Sequence, residues 1–87
     1  MKLTLNMLHS LTWKMLSHLA LEHEHASMYE TEVEGIRIIK CAHVKMEGDG
    51  GFGRSFTHYV IGNDPKVYKT HKSAVEAINE LLDKQKR

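Results

Sequence analysis

Residues 29–34 read YETEVE, and this stretch decides the fold of the middle of the chain. Tyr29, Thr31 and Val33 alternate with three glutamates, which is the period-two pattern of a strand with one buried and one solvated face. Gly35 follows and permits a tight turn. The pattern therefore predicts a β-strand that ends in a turn or bulge at Gly35.

A second and a third extended segment follow this strand. Residues 36–46 alternate, with Ile38, Lys40, Ala42, Val44 and Met46 on one face and Ile39, Cys41, His43 and Lys45 on the other. Residues 52–61 do the same. The composition of residues 62–65, Gly-Asn-Asp-Pro, indicates a turn, and residues 67–69 follow as a short fourth strand.

Helices are predicted on both sides of these strands. Leu8, Leu11, Met15 and Leu19 lie at helical spacing, so we expect an amphipathic helix within residues 1–25, capped by Thr4 or Asn6. Residues 71–86 form the second helix, with either Ser73 or Thr70 as its N-cap. The expected fold is one small α+β domain of 87 residues. In it, three or four antiparallel strands (residues 28–69) carry the C-terminal helix on one face.

Size and composition limit the functions that this chain can support. A domain of this length has a thin core and little room for a deep substrate pocket, so we expect no enzymatic activity. The single cysteine cannot form an intrachain disulfide and indicates a reducing, cytoplasmic setting. No apolar run is long enough for a membrane span.

Charge is distributed unevenly along the chain, although the net charge is only +1. Residues 1–34 sum to −3 and residues 35–87 to +4. An acidic face could steer the chain to a basic groove on a protein partner and compete there with nucleic acid, as small phage inhibitors of host machines do. Its residues would be Glu22, Glu24, Glu30, Glu32 and Glu34.

Cations interspersed with aromatic side chains offer a second hypothesis, which is binding of DNA or RNA by phosphate neutralisation and base stacking. The candidate residues are Arg37, Lys40, Lys45, Phe52, Arg54, Lys66, Tyr68, Lys69 and Lys72. Ordinary solubility charge would produce the same alternation.

Residues 59–82 supply one resemblance for this hypothesis, because they contain a strand, a turn, Tyr68-Lys69-Thr70 and an amphipathic helix. In this order they resemble the arm-type DNA-binding domains of phage integrases, which are three-stranded sheets closed by a C-terminal helix. The resemblance implies a similar local fold and DNA contact. It covers less than a third of the chain, and the acidic strand and the long first helix depart from it, so no functional residue is carried over.

Metal binding is a third hypothesis, because His23, His25, Cys41 and His43 are ligand types that suit zinc. Residues at i and i+2 share a face only on a strand, which fits Cys41 and His43 but not two histidines on a helix end. The alternative is that His23 and His25 belong to a solvated helix terminus. The spacing matches no common zinc signature, so we expect no cofactor.

Two further motifs have a purely structural interpretation beside the functional one. Residues 48–53 satisfy the phosphate-loop pattern G-x-G-x-x-G, but such a loop needs a helix after it and a strand follows here, which favours a hairpin tip. Cys41 with His43, or Ser55 with His58, could be drawn as catalytic pairs, yet neither has an identifiable orienting acid. The wide apolar stripe of the first helix is either core or a contact for a homodimer or another partner.

Overall fold

The computed structural model describes residues 2–20, 22, 24–47 and 51–85, with only the backbone described at residues 46, 47 and 51–54. The chain order is α1 (Leu5–Ser10), β1 (Lys14–Ala20), β2 (Glu24–Val33), β3 (Ile36–Glu47), β4 (Gly51–Ile61), β5 (Val67–Tyr68) and α2 (His71–Gln85). The five strands form one antiparallel sheet in the order β1-β2-β3-β4-β5, so each strand pairs with its neighbour in sequence. The α+β class, the antiparallel sheet and the C-terminal helix are confirmed.

The prediction of one long helix within residues 1–25 is wrong. Thr4 does cap α1, accepting a hydrogen bond from the Met7 amide, but the helix ends at Ser10. Residues 14–20 form strand β1, and β2 begins at Glu24, so the sheet has five strands rather than three or four. Pairing with β2 overrides a helical spacing that was local and weak.

A tight hairpin joins β2 to β3. Val33 pairs with Ile36, so only Glu34 and Gly35 form the loop, and their φ angles are +48° and +84°. Positive φ at both loop residues is the backbone that matches the twist of two-residue hairpins. Glycine adopts it without cost, whereas Glu34 is held there by the strands on either side.

Helix α2 begins where a threonine satisfies its first amides. Thr70 accepts a hydrogen bond from the Ser73 amide at 3.1 Å, so Thr70 rather than Ser73 is the N-cap. The apolar side of α2 supplies five buried residues, Ala74, Val75, Ala77, Ile78 and Leu82. These pack on the sheet and make α2 the main cover of the core.

All strand residues that the structure describes as buried lie on one face of the sheet, which we call the helix face. Antiparallel partners share a face, and the pairs Val33–Ile36 and Ile38–Ile61, together with Tyr59, lie on this one. Leu3 and Leu8 complete the core from the α1 side. The Asn79 side chain fixes this segment, because its Oδ1 accepts from the Leu3 amide at 2.7 Å and its Nδ2 donates to the Leu3 carbonyl at 2.9 Å.

The sheet is longer than the helix that covers it. Twelve residues of β3 span about 40 Å, whereas fifteen residues of α2 span about 22 Å. We call the part with α1, α2, residues 33–38 and residues 59–61 the packed end, and residues 24–28, 41–45 and 55–58 the distal end. No residue of the distal end is buried.

Candidate functional site

The sheet face opposite α2 carries no helix among the described residues, and we call it the uncovered face. None of its described side chains is buried. It is formed by alternate residues of all five strands, namely Lys14, Ser17, Leu19, Glu24, Ala26, Met28, Glu30, Glu32, Arg37, Ile39, Cys41, His43, Lys45, Phe56, His58, Val60 and Val67. Because a sheet is stabilised by burying a face, this surface is the first candidate for a function.

The centre of the uncovered face is apolar. Met28 is 37% exposed, Leu19 55%, Phe56 45% and Val67 45%, while Ile39 lies between them half-buried. These side chains come from five adjacent strands, and the register places Leu19, Met28, Ile39 and Val67 in a diagonal band across the sheet, with Phe56 on the far side of His58. Apolar side chains that are exposed together mark binding surfaces more often than the same residues scattered singly.

Charged groups lie at both ends of this band. At one end, Arg37 forms an ion pair with Glu30, which neutralises one of the predicted acidic residues. At the other end, the Glu24 carboxylate is 3.3 Å from Nδ1 of His43. The Lys45 ammonium lies 5.7 Å from the centroid of the Phe56 ring. An apolar centre with a charged rim is the usual anatomy of a protein interface.

His43 and His58 stack on this face, with ring centroids 5.2 Å apart and planes inclined by 18°. Burial, and then the charges of His43 and Lys69, lower the pKa of His58, which favours the neutral imidazole. Burial raises the pKa of the neighbouring Cys41 thiol. A nucleophilic cysteine is favoured by the opposite shift, so the direction at Cys41 does not support a catalytic Cys41–His43 pair.

The proposed zinc ligands do not converge. His25 pairs with Val44 and lies on the helix face, whereas Cys41 and His43 lie on the uncovered face. His25 instead packs its ring 5.8 Å from that of His18. His23 lies outside the described residues. Within the described part of the chain, no three His, Cys, Asp or Glu side chains come together as a metal site.

The predicted acidic face is divided along the strand. Glu24, Glu30 and Glu32 lie on the uncovered face, but six residues, or about 20 Å, separate the first two. Glu34 lies in the hairpin loop, and Glu22 is exposed just before β2. The carboxylates therefore form two groups at opposite ends of the apolar band.

The candidate cations for nucleic acid are also dispersed. Arg37 and Lys45 are at opposite ends of the uncovered face. Lys66 and Lys69 flank β5, where the Lys66 ammonium lies 5.2 Å from the centroid of the Tyr68 ring, and Lys72 follows in α2. The side chains of Phe52 and Arg54 lie outside the described residues.

Lys40 occupies a different place from the other cations, on the helix face. Its ammonium lies 4.3 Å from the centroid of a Trp13 ring and 5.1 Å from that of Tyr29. Partial burial lowers its pKa. The aromatic side chains compensate for part of that desolvation by cation–π attraction. Lys40 is therefore a component of the packed helix face rather than a free phosphate ligand.

Tyr59 and His71 form a polar contact beside Lys40. The Tyr59 hydroxyl and Nδ1 of His71 are 2.7 Å apart, and the His9 ring packs edge-on against His71 at 4.9 Å. Burial, His9 and Lys40 lower the pKa of His71, and burial raises that of Tyr59. Both shifts favour the neutral form of the group.

Residues 48–53 do not form a phosphate loop in the strand-to-helix sense. β3 enters this segment and β4 leaves it, with Glu47 paired to Gly51. This is the strand-to-strand arrangement, although residues 48–50 lie outside the described part.

Comparison with known proteins gives no relative: no protein-family model, no curated protein and no solved structure matches this chain. In the described ranges, no helix is long and apolar enough to cross a membrane. The site must therefore be interpreted from its own geometry.

Proposed function

We propose that this chain is a small, non-enzymatic binding module, an inhibitor or adaptor that occupies a surface of a protein partner with its uncovered face. The observation that carries the proposal is the exposed apolar band on a sheet whose other face alone is covered by α2. Excluding this band from water would provide the driving force for association.

The uncovered face also has the size of an interface. The strands differ in length from two residues in β5 to twelve in β3. At about 3.3 Å per residue and about 4.8 Å between strands, the whole face is roughly 650 Å². Stable protein complexes bury about 800 Å² on each partner. A single partner with a complementary apolar patch could therefore cover the whole face.

The carboxylates contribute at the rim in this proposal. Glu24 and Glu32 are on the uncovered face at opposite ends of the apolar band. Such rim charges act mainly on the association rate, by steering the approach of a basic partner. A basic groove that otherwise holds nucleic acid remains the partner chemistry that we favour.

The test replaces apolar side chains of the band by charged ones. Met28→Lys combined with Leu19→Lys should lower partner capture in a quantitative pull-down by about tenfold or more, because two cations would be desolvated. Met7→Lys is the matched control, since Met7 is also 37% exposed but lies on α1. Equal capture by the double variant and the wild type would refute the uncovered face as the binding surface.

Nucleic-acid binding is the second candidate, and the grouping of Lys66, Tyr68 and Lys69 around β5 favours it. Cations beside an aromatic ring can neutralise phosphate and stack on bases. Retention on heparin should then fall steeply with salt and be lost in Lys66→Glu with Lys69→Glu. No retention of the wild type at low salt would eliminate this candidate.

A further inference from the structure

The outer edge of β4 is only partly paired. β5 contributes two residues, with Tyr68 opposite Tyr59 and Val67 opposite Val60, and the chain then turns into α2 at His71. Beyond this point no described strand lies next to residues 55–58 of β4. The sheet therefore ends in a short open edge just where a longer β5 would have continued.

The backbone groups that face this edge can be assigned from one hydrogen bond. The Gly62 amide donates to the Arg37 carbonyl at 2.7 Å, so Gly62 directs its backbone polar groups toward β3. Backbone direction alternates along a strand, and the register from Ser55 to Ile61 is regular. The amides and carbonyls of Ser55 and Thr57 consequently point outward, away from β3.

A groove follows the same edge. It has an open volume of about 660 Å³ and is lined by residues 55–58 and by Val67, Lys69 and His71. A groove beside unpaired backbone groups is the arrangement that accepts an added strand, because main-chain hydrogen bonds supply affinity and flanking side chains supply specificity.

The opposite edge of the sheet is less suited to strand addition. Between Met15 and Ser17, β1 contains an extra residue, Leu16, relative to β2. Such bulges twist an edge and obstruct further pairing. Between residues 55 and 58 the register of β4 is uninterrupted, although it shifts just before Ser55.

Cations determine the chemistry of the added strand. β5 ends at Tyr68, opposite Tyr59, and Lys69 follows directly. Lys69 lines the groove together with Phe56 and His58, and its charge contributes to lowering the pKa of His58. The Lys45 ammonium lies above the Phe56 ring. A residue placed opposite Phe56 would therefore lie close to two lysines.

We propose that residues 55–58 of β4 bind an extended peptide of a partner protein, antiparallel to β4 and in line with β5, with a carboxylate side chain opposite Phe56. The Phe56 and Val67 side chains also belong to the uncovered face, but the inference rests on the edge backbone of β4 and not on the apolar band proposed above.

The test selects ligands from short random peptides displayed on phage, using the full chain as bait. We expect enrichment of alternating β-branched residues with an acidic residue between them. The synthetic form of an enriched peptide should shift the NMR amide signals of Ser55 and Thr57. Failure to enrich peptides, or shifts confined to other residues, would overturn the proposal.

Substitutions at Thr57 and Lys69 separate the contribution of backbone hydrogen bonds to peptide binding from that of charge. Thr57→Pro removes the outward amide and should weaken the selected peptide by about tenfold or more, whereas the near-isosteric Thr57→Val keeps that amide and should bind as the wild type does. Lys69→Glu should reverse the selection from acidic to basic peptides. The charge of the selected peptides tests the proposal even if Thr57→Pro fails to fold. If Lys69→Glu still selects acidic peptides, the carboxylate position opposite Phe56 is refuted.

Other occupants would give different results. A dimer in light scattering that Thr57→Pro dissociates would assign the edge to a second copy of the chain and overturn the peptide proposal. Binding of a labelled single-stranded oligonucleotide that requires Lys69 but tolerates Thr57→Pro, with no peptide enriched, would assign the groove to nucleic acid. The Met28→Lys, Leu19→Lys double variant should leave peptide binding unchanged, which distinguishes this edge from the uncovered face.

Discussion

The two ends of the same strands differ sharply in packing. On the helix face of β3, Ile38 is fully buried at the packed end, whereas Ala42 and Val44 are only half-buried at the distal end. On β4 the same contrast separates Tyr59, which is 1% exposed, from Thr57. The difference is not one of strand pairing, because the ladder between β3 and β4 continues through both ends. It follows from the length of α2.

This contrast assigns stability and binding to separate parts of one sheet. Apolar side chains removed from water by α1 and α2 hold the packed end together. The distal end is held mainly by its backbone ladder, so its local unfolding should require less free energy. A binding surface at that end can be changed without loss of the core.

The largest expected effect is a loss of stability from a substitution in the packed end. Ile38→Ala removes a fully buried side chain and should lower the free energy of unfolding by about 3 kcal/mol, from lost burial and the cavity that remains. Val44→Ala, on the same strand and face at the distal end, should cost about 1 kcal/mol. Urea denaturation followed by circular dichroism measures both. Similar losses for the two variants would contradict the division into a packed and a distal end.

A smaller loss of stability is expected when the hydrogen bonds between α2 and the segment before β1 are removed. Asn79→Ala deletes both hydrogen bonds to Leu3 and should lower the free energy of unfolding by about 1–2 kcal/mol. Asn79→Asp retains the acceptor for the Leu3 amide but loses the donor, so its loss should be intermediate. Hydrogen exchange at the Leu3 amide should accelerate in Asn79→Ala and remain slower in Asn79→Asp. Unchanged exchange in both variants would show that Asn79 does not fix this segment.

The smallest expected effect is a dependence on pH at the packed end. Burial and the charges of His9 and Lys40 lower the pKa of His71 in the folded protein, so the unfolded chain takes up this proton first. Stability should therefore fall as the pH drops below about 6.5, the ordinary pKa of histidine. His58 contributes in the same direction from the distal end.

His71→Gln isolates the packed-end contribution. In urea unfolding at a series of pH values, this variant should show a shallower loss on the acid side than the wild type, and His58→Gln provides the comparison at the distal end. A steeper acid loss in His71→Gln would contradict the sign of the shift.

The strands of the middle and the last helix could be predicted because their signals are local. Tyr29, Thr31 and Val33 alternate in sequence and all share the helix face in β2. Thr70 was one of two N-caps considered for α2, and the structure selects it through its bond to Ser73. The period-two alternation and the capping hydroxyl each involve only a few neighbouring residues, so both can be recognised in the sequence.

β1 could not be predicted, because its bulge disrupts the period-two alternation that identifies a strand. The extra residue Leu16 shifts the pairing between Met15 and Ser17, so the apolar residues on its two sides fall out of period-two register. The spacing of Met15 and Leu19 then imitates one helical turn. Only pairing with β2, which the pattern of this segment alone does not display, makes it extended.

The candidate surface was missed for a similar reason. Ile39 and Cys41 are half-buried side chains of β3 that share a face with the glutamates of β2. Their meaning depends on Phe56, Val67 and Leu19, which only the folded sheet places beside them. The glutamates were visible in the sequence, but their division into two groups requires the strand geometry.

The two hydrogen bonds between Asn79 and Leu3 join residues that are 76 positions apart, and this distance has a consequence for biosynthesis. During translation every hairpin can form soon after it leaves the ribosome, because each strand pairs with the one made just before it. The hydrophobic cover from α2 arrives last. Until then, both faces of the sheet in a nascent chain are exposed to solvent. At this stage aggregation would compete with folding, and chaperones would protect the chain.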